Sequence, residues 1–438
     1  MATSSHIGER GGASAPLTFP EARRAVVGGA IGNILEQYDN VIYAYSAVTL
    51  APLFFPKSSG TVALLATFAV FAVGFVIRPV GALYFGHMGD RLGRRRALVL
   101  SVTLMAFGTT LVGVLPTYSS IGVLAPIALV VLRLVQGFSV GGEWAGSTTF
   151  IVEYAPPERR GLYGSWQQVS TAVGFLLAAG VSTVVTLSFS SEAMHAWAWR
   201  LPFLFAIVTG AAALWVRLRL DETPKFLQAE HAHNVVDNPL VESLRRSWRG
   251  ILRGFGFTIL WTLAYFLFLT YLPTFLVEQA HLSPGMAKLS NTFSLVVFAI
   301  LIPFAGLLSD RVGRKPLLLA ATGGFIVLSY PIMLLLSTGN LFLIYAAEAL
   351  LALLLATFSG PGPAALAEMF ETEVRYSALS IGYNLSAAAF GGTAPFLAIL
   401  IISGTGSKTS PALLAIGAAL ITLLTVVTMR ETSRLPLR

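Results

Sequence analysis

The sequence predicts an all-α membrane protein of twelve transmembrane helices arranged as two pseudo-symmetric six-helix bundles, and three observations carry that reading. Composition is the first: of 438 residues, 55% are hydrophobic and 11% charged, against about a quarter charged in an ordinary soluble domain. The second is a series of apolar runs. A hydrocarbon core of about 30 Å takes about 20 apolar residues per helix, and such runs lie near residues 25-50, 61-85, 97-116, 122-152, 161-188, 200-217, 252-277, 287-308, 317-337, 340-366, 377-403 and 411-429. The third is a basic stretch that occurs twice. Gly86-His87-Met88-Gly89-Asp90-Arg91-Leu92-Gly93-Arg94-Arg95-Arg96 separates two apolar runs, and Gly306-Leu307-Leu308-Ser309-Asp310-Arg311-Val312-Gly313-Arg314-Lys315 separates two more, 220 residues later. In each copy the glycines permit a tight turn and one acid anchors a cluster of cations. A duplicate at half the chain length marks two related halves.

On this reading residues 1-22 are a flexible cytoplasmic tail, 23-217 the N-terminal bundle, 218-250 a cytoplasmic linker with amphipathic helices, 251-430 the C-terminal bundle and 431-438 a short cytoplasmic tail. The first 22 residues lack the apolar core of a cleavable signal. A net charge of +8 would suit nucleic acid, but its distribution excludes that partner. With the N-terminus inside, Lys57, Arg200, Lys288 and Lys408 fall on the outer side and Arg78 and Arg133 within helices, leaving 23 of the 29 Lys and Arg in cytoplasmic segments. This positive-inside bias places both termini in the cytoplasm and makes the lipid bilayer the partner surface. There is no cysteine, so no disulfide framework and no thiol metal site. His231 and His233 have no further ligands nearby, so no metal is expected. Gly404-Thr405-Gly406-Ser407-Lys408-Thr409 resembles a phosphate loop but lacks the Gly-Lys adjacency and a preceding strand. If the chain is a transporter, transport is then expected to run on a gradient, with no cofactor. No nucleophile, base and orienter converge in a soluble segment, so the chain is not expected to be an enzyme.

Along the chain, the first helix carries Asn33, Glu36, Gln37, Asp39, Asn40 and Tyr43 in its middle third. Positions 33, 36, 40 and 43 share a face with 39 beside it, so the stripe looks into the bundle, either as a substrate or proton site or as hydrogen bonds between helices. In the second helix Arg78 needs a carboxylate or a cavity: it is either a fork for an anionic substrate or a permanent partner of Glu36 or Asp39. The third helix is apolar and reads as structural. The fourth holds Arg133-Leu134-Val135-Gln136-Gly137-Phe138-Ser139-Val140-Gly141-Gly142-Glu143. Glu143 lies about 15 Å along the axis from Arg133, so Arg133 is expected to pair across to the acids of the first helix.

Beyond the fourth helix, Glu153 and Arg160 recur as Glu368 and Arg375, each 215 residues later. With Asp90 and Arg94, and the copies Asp310 and Arg314, they are expected to form two ion-pair clusters under the bundles. The fifth helix opens with Ser165, Trp166, Gln167, Gln168, Ser170 and Thr171, offering uncharged contacts, and Trp197-Ala198-Trp199-Arg200 anchors the start of the sixth at the interface. In the linker, Thr223-Pro224 starts a helix. The second bundle is poorer in charge: Thr258, Trp261, Thr262 and Tyr265 on the seventh helix, Asn291 and Ser294 on the eighth, Tyr383, Asn384 and Ser386 on the eleventh, and Glu348 as its only deep acid. Gly360-Pro361-Gly362-Pro363 breaks the tenth helix, as a gating element requires. Ionic binding and proton chemistry therefore belong to the first half, neutral and aromatic contacts to the second.

The duplicated basic stretch resembles the signature loop between the second and third helices of major facilitator superfamily transporters, repeated there between the eighth and ninth. Glu36-Gln37-Tyr38-Asp39, Arg78-Pro79-Val80-Gly81, Gln136 to Glu143, Trp199-Arg200-Leu201-Pro202-Phe203 and Phe390-Gly391-Gly392 resemble, more narrowly, the metabolite:proton symporter family. That resemblance implies uptake of citrate, 2-oxoglutarate, shikimate, other carboxylates, or the zwitterions proline and glycine betaine, each with a proton. Glu-Gln-aromatic-Asp and Lys408 to Pro411 are similar to the citrate and tricarballylate symporters, while the fourth helix is equally similar to shikimate and osmolyte members. Asn40 stands where the family has an aromatic. The chain runs nine residues past the last helix without the coiled coil of osmosensing members, which weighs against an osmolyte.

The resemblance thus implies a monomeric, proton-coupled symporter of a small di- or tricarboxylate in the plasma (inner) membrane, working by alternating access. Arg78 would take the carboxylate, with Asn40, Tyr43, Gln167, Gln168, Tyr265 and Asn384 around the substrate. Asp39 and Glu36 would carry the proton, with Arg133 as counter-ion and Glu143 in the same group. Asp90, Arg94, Glu153, Arg160, Asp310, Arg314, Glu368 and Arg375 would latch the cytoplasmic side in the outward-facing state. The alternatives are a proton-antiport exporter, a symporter of a zwitterionic osmolyte or shikimate-like acid, and a sensor that binds without flux.

Overall fold

Eleven helices among the described residues are long and apolar enough to cross a membrane, and a twelfth precedes them. The computed structural model describes residues 19–92, 94–140, 143–219, 239–371, 375–433, 435 and 437. The first helix, α1 (Phe19–Tyr45), is 27 residues long and spans about 40 Å by helix rise. Its polar stripe is what lowers its hydropathy. The remainder are α2 (Gly60–Phe85), α3 (Arg96–Val114), α4 (Leu124–Glu153), α5 (Pro157–Ser188), α6 (Ala198–Val216), α7 (Ser247–Thr270), α8 (Pro284–Val312), α9 (Arg314–Leu336), α10 (Leu341–Glu368), α11 (Arg375–Thr405) and α12 (Pro411–Thr428). In lipid every backbone group must be satisfied within the segment, so helices are the only open-ended solution.

Local chemistry sets the ends. Ser59, Ser283 and Asn340 cap α2, α8 and α10, each side-chain oxygen accepting from backbone N–H groups of the first turn. Gly313, in the second basic loop, adopts φ 104°, a left-handed conformation open to glycine that separates α8 from α9. The helix that becomes α7 begins at Pro239 and kinks at Ser247. Most of the predicted linker, 220–238, and the predicted N-terminal tail to residue 18 lie outside the described residues.

The halves meet along α5 and α8, and again where α2 approaches α11. Close approach depends on glycine: a Cβ on Gly137 of α4 would stand 1.8 Å from the Gly74 carbonyl oxygen of α2. This contact brings the turns bearing Arg78 and Arg133 together. Regular helix fails near the molecule's middle. Helix α1 breaks after Tyr45 and resumes as Ala47–Phe54, α10 breaks between Ser359 and Gly362 as the Gly-Pro-Gly-Pro run predicts, and π-helical turns occupy Tyr265–Thr270 in α7 and Ala387–Gly391 in α11. Such turns release backbone groups and gather at functional sites.

Candidate functional site

Both halves line an enclosed cavity between the bundles, with room for water-sized spheres of only about 30 Å³, enough for a water or so. From the N-terminal half come Glu36 and Asn40 of α1, Arg78 of α2, Trp144 of α4, and Gln168 of α5; from the other come Trp261 and Tyr265 of α7 and Tyr383 and Asn384 of α11. The Arg78 guanidinium lies 3.6 Å from the centroid of the Phe75 ring, and its Nη2 donates to Asn40 Oδ1. Glu36 and Tyr383 are close enough to interact with it electrostatically. Asn40, the departure from the family pattern, is thus the residue that holds the arginine. Across the cavity Trp144 and Tyr383 stack at 3.8 Å and 8°, and Trp261 stands edge-on to Trp144 at 5.7 Å. The Tyr265 hydroxyl donates to Gln168 Oε1 at 2.7 Å, joining the halves across the site.

The cavity gathers six of the expected residues, Glu36, Asn40, Arg78, Gln168, Tyr265 and Asn384, and leaves others behind its wall. Tyr43 turns away: its hydroxyl donates to the Thr67 carbonyl at 3.2 Å and its ring lies under Arg133. It sits close to the end of α1, where the helix has left the cavity for α2. Gln167 faces the bundle and accepts from Gln168. Asn33, at the other end of the stripe, donates to Ser170 and Thr171 of α5 at 2.8 and 3.0 Å. That end of the stripe joins helices and does not reach the cavity.

Arg133 corrects an expectation. No ion pair among the described residues joins it to Glu36 or Asp39. Its guanidinium packs over the rings of Tyr43 and Phe71, 4.7 and 5.1 Å from their centroids, and its Nη1 donates to Gln136 Oε1 at 2.8 Å. Gln136 Nε2 then donates to Thr109 Oγ1 at 3.0 Å, and Thr109 stands beside Asp39. The hydrogen bonds of Arg133 therefore lead to α3, the helix that reads from sequence as merely structural, and end at Thr109, beside Asp39. Thr109 also donates to the Met105 carbonyl at 3.0 Å, and its single hydrogen cannot serve Met105 and Asp39 together. The side chains of Glu143, Asp90 and Arg94 lie outside what the structure describes.

Both faces of the cavity are shut. On the side bearing the basic loops, Arg375 Nη1 pairs with Glu153 at 2.7 Å, while Arg314 and Arg160 approach Glu368 at 3.6 and 3.9 Å. Two of these pairs cross between the halves, Glu153 with Arg375 and Arg160 with Glu368, while Arg314 stays within the C-terminal half, where it also pairs with Asp310 at 2.7 Å. Asp310 accepts from the Gly161 and Leu162 N–H groups at 2.8 and 2.9 Å, capping α5 from the opposite half where its dipole favours an anion. Beneath α12, burial pushes the Glu431 carboxyl up, but hydrogen bonds from the N–H groups of Arg314, Ser433 and Lys315 outweigh it and hold the group below the usual range. On the opposite face the Tyr45 hydroxyl donates to the Leu269 carbonyl at 2.8 Å, Asn291 donates to Tyr45 at 3.4 Å, and Phe68 meets Tyr271 edge-on at 5.6 Å.

Comparison with known proteins agrees with this architecture. Residues 25–237 match the family model described as sugar (and other) transporter, and residues 263–437 match that of the major facilitator superfamily. The proline/betaine transporter of Escherichia coli K12 is 35% identical over 425 residues, covering 95% of this chain and 85% of that protein. The glycine betaine/proline/ectoine/pipecolic acid transporter OusA of Dickeya dadantii is 35% identical over 433 residues, with the same coverage. Among solved structures, the proton:xylose symporter XylE bound to 6-bromo-6-deoxy-D-glucose superposes with a TM-score of 0.74 at 17% identity, covering 95% of this chain and 97% of that one.

Proposed function

The chain belongs to the major facilitator superfamily, as a multi-pass membrane protein related to the proline/betaine transporters, and we propose that it takes up a small zwitterion together with a proton. The observation that carries this reading is the cavity's charge. Among the described residues it presents one cation, Arg78, and one acid, Glu36, beside the aromatic faces of Trp144, Tyr383 and Trp261. A tricarboxylate would meet a single guanidinium and a repelling carboxylate. A zwitterion is matched at both ends: Arg78 offers a planar fork to its carboxylate, and Glu36 with the aromatic wall suits its ammonium, since a cation over an aromatic face gains about 0.5 to 2 kcal/mol. The names of the relatives point the same way, and the di- or tricarboxylate favoured by the first-helix motif gives way to this alternative.

Proton coupling is assigned to α1. Glu36 and Asp39 are buried, and a buried carboxylate is costly unless paired or neutralised. The hydrogen bonds that run from the fixed cation Arg133 of α4 through Gln136 end at Thr109, beside Asp39, so a rearrangement of either helix changes what faces the acid. The double closure is the form a carrier passes through when it opens to one face at a time.

The test is the external pH of lightly buffered proteoliposomes on addition of proline, glycine betaine, shikimate and citrate in turn. Alkalinisation with proline or glycine betaine is expected. Alkalinisation with citrate alone would restore the carboxylate reading, and acidification would identify an antiporter.

A further inference from the structure

A buried acid lies apart from the cavity. Glu348 of α10 is wholly buried, two turns in from Leu341 and so about 10 Å from the face opposite the basic loops. Its Oε1 accepts from Ser290 Oγ of α8 at 3.0 Å. Its Oε2 has no hydrogen-bond partner, and it takes part in none of the ion pairs among the described residues. The titratable groups on the helices packed against α10 leave it alone. Lys288, half a turn before Ser290, donates to Thr186 of α5 at 2.8 Å. Tyr265 of α7 donates to Gln168, and Tyr330 of α9 is exposed. The remaining charges of these helices, Asp310 and Arg311 on α8, Arg314 and Lys315 on α9, and Arg249 and Arg253 on α7, sit at the ends toward the basic loops.

The same stretch of α8 that holds this acid also holds the seal of the outer-lying face. Asn291, next to Ser290, donates to the Leu269 carbonyl at 3.2 Å and to Tyr45 of the N-terminal half at 3.4 Å. Ser294, one turn on, donates to the Glu348 carbonyl at 3.4 Å. Opening this face requires Tyr45 to part from Leu269 and Asn291, one residue from Ser290.

We propose that Glu348 is a second proton-binding site, in the C-terminal half, that exchanges with the face opposite the basic loops and is occupied while that face is closed. With the seal shut, a carboxylate there would have one hydroxyl and no cation to replace its hydration, whereas the neutral acid costs far less. With the seal open, water can solvate the anion. By linkage, a proton bound from that side favours closure and its release favours opening. The site does not depend on which substrate the cavity takes.

Infrared spectroscopy of the full chain in lipid nanodiscs tests it. In a Glu36→Gln/Asp39→Asn background, the protonated-carboxyl band is expected near neutral pH and is expected to vanish on adding Glu348→Gln, which keeps the Ser290 bond. Absence of the band in the double variant, or its survival in the triple variant, overturns the proposal. The link to the seal is read separately. The chain has no cysteine, so Leu295→Cys, one turn inside Asn291 and wholly buried, reports opening by its reaction with a membrane-impermeant maleimide, normalised to the unfolded protein at each pH. Labelling is expected to rise several-fold from about pH 6 to about pH 9 and to lose that dependence with Glu348→Gln. Equal pH dependence with and without Glu348 would overturn the link.

Discussion

Among the described residues of the N-terminal half, two acids and two arginines, Glu36, Asp39, Arg78 and Arg133, are buried at or near the cavity. At the same cavity the C-terminal half presents Trp261, Tyr265, Tyr383 and Asn384, none of which is charged at neutral pH. The gates differ in the opposite way, since both halves supply an acid and a base to the crossed pairs. The repeat has thus kept its perimeter and divided its interior. Burying charge is costly, and one half bears that cost near the substrate while the other supplies shape and aromatic surface. The π-helical turns of α7 and α11 belong to the half that lines the cavity without charge, and the one in α7 carries Tyr265 and Phe266 of that lining.

The sharpest way to break this division is at Arg78. Arg78→Lys keeps the charge but loses the planar group that lies on Phe75 and bonds Asn40. Uptake is expected to fall about ten- to a hundredfold, as when a hydrogen bond of a charged group is lost, about 1.5 to 3 kcal/mol. Near-normal uptake by the lysine variant would reduce the N-terminal half's part to bare charge. Asp39→Asn is next. Accumulation against a gradient is expected to disappear while exchange of labelled for unlabelled substrate continues, because the variant removes the proton and leaves the cavity lining intact. Continued accumulation would move the coupling to another acid. A smaller effect is expected from the neutral wall: Trp144→Leu should raise the half-saturating concentration roughly tenfold, the value of a cation–aromatic contact of about 1 to 2 kcal/mol, with little change in maximal rate. An unchanged half-saturating concentration would remove Trp144 from the ammonium end.

The sequence made the twelve helices, the duplicated loops and the charged half legible, because apolar length, repeated motifs and buried ions are each written as composition. Which helix face reaches the cavity is not written that way. Tyr43 shares the face of Asn40 by helical spacing, yet α1 ends soon after it and the ring falls under Arg133. Trp144 stands directly after Glu143, in a stretch that reads chiefly for its charge, and its stacking on Tyr383 comes from a helix of the other half. Thr109 is one hydroxyl in an apolar helix, and its role follows only from what α1 and α4 place against it. Partner choice at the gate is hidden for the same reason: repetition identifies Glu153, Arg160, Glu368 and Arg375 without saying whether they pair within a half or across.

That last ambiguity yields the smallest predicted effect and the cleanest discrimination. Arg375 is also held by the Ala367 and Phe370 carbonyls at 2.9 and 3.1 Å, so Glu153→Gln removes one of several partners and leaves the guanidinium in place. The Glu153 side chain is 16% exposed, and a partly solvated pair contributes up to about 1 kcal/mol. Glu153→Gln should therefore shift the closed-to-open equilibrium of the basic-loop side by about fivefold or less, read as labelling of a single introduced cysteine from that side. A double-mutant cycle separates the two pairings. Glu153→Gln with Arg375→Gln should show coupling, while Glu153→Gln with Arg160→Gln should be additive. Coupling to Arg160 in place of Arg375 would return the gate to pairs within each half, and each bundle could then open without breaking contacts to the other. The crossed arrangement forbids this: both ion pairs must part together when the halves separate on that side.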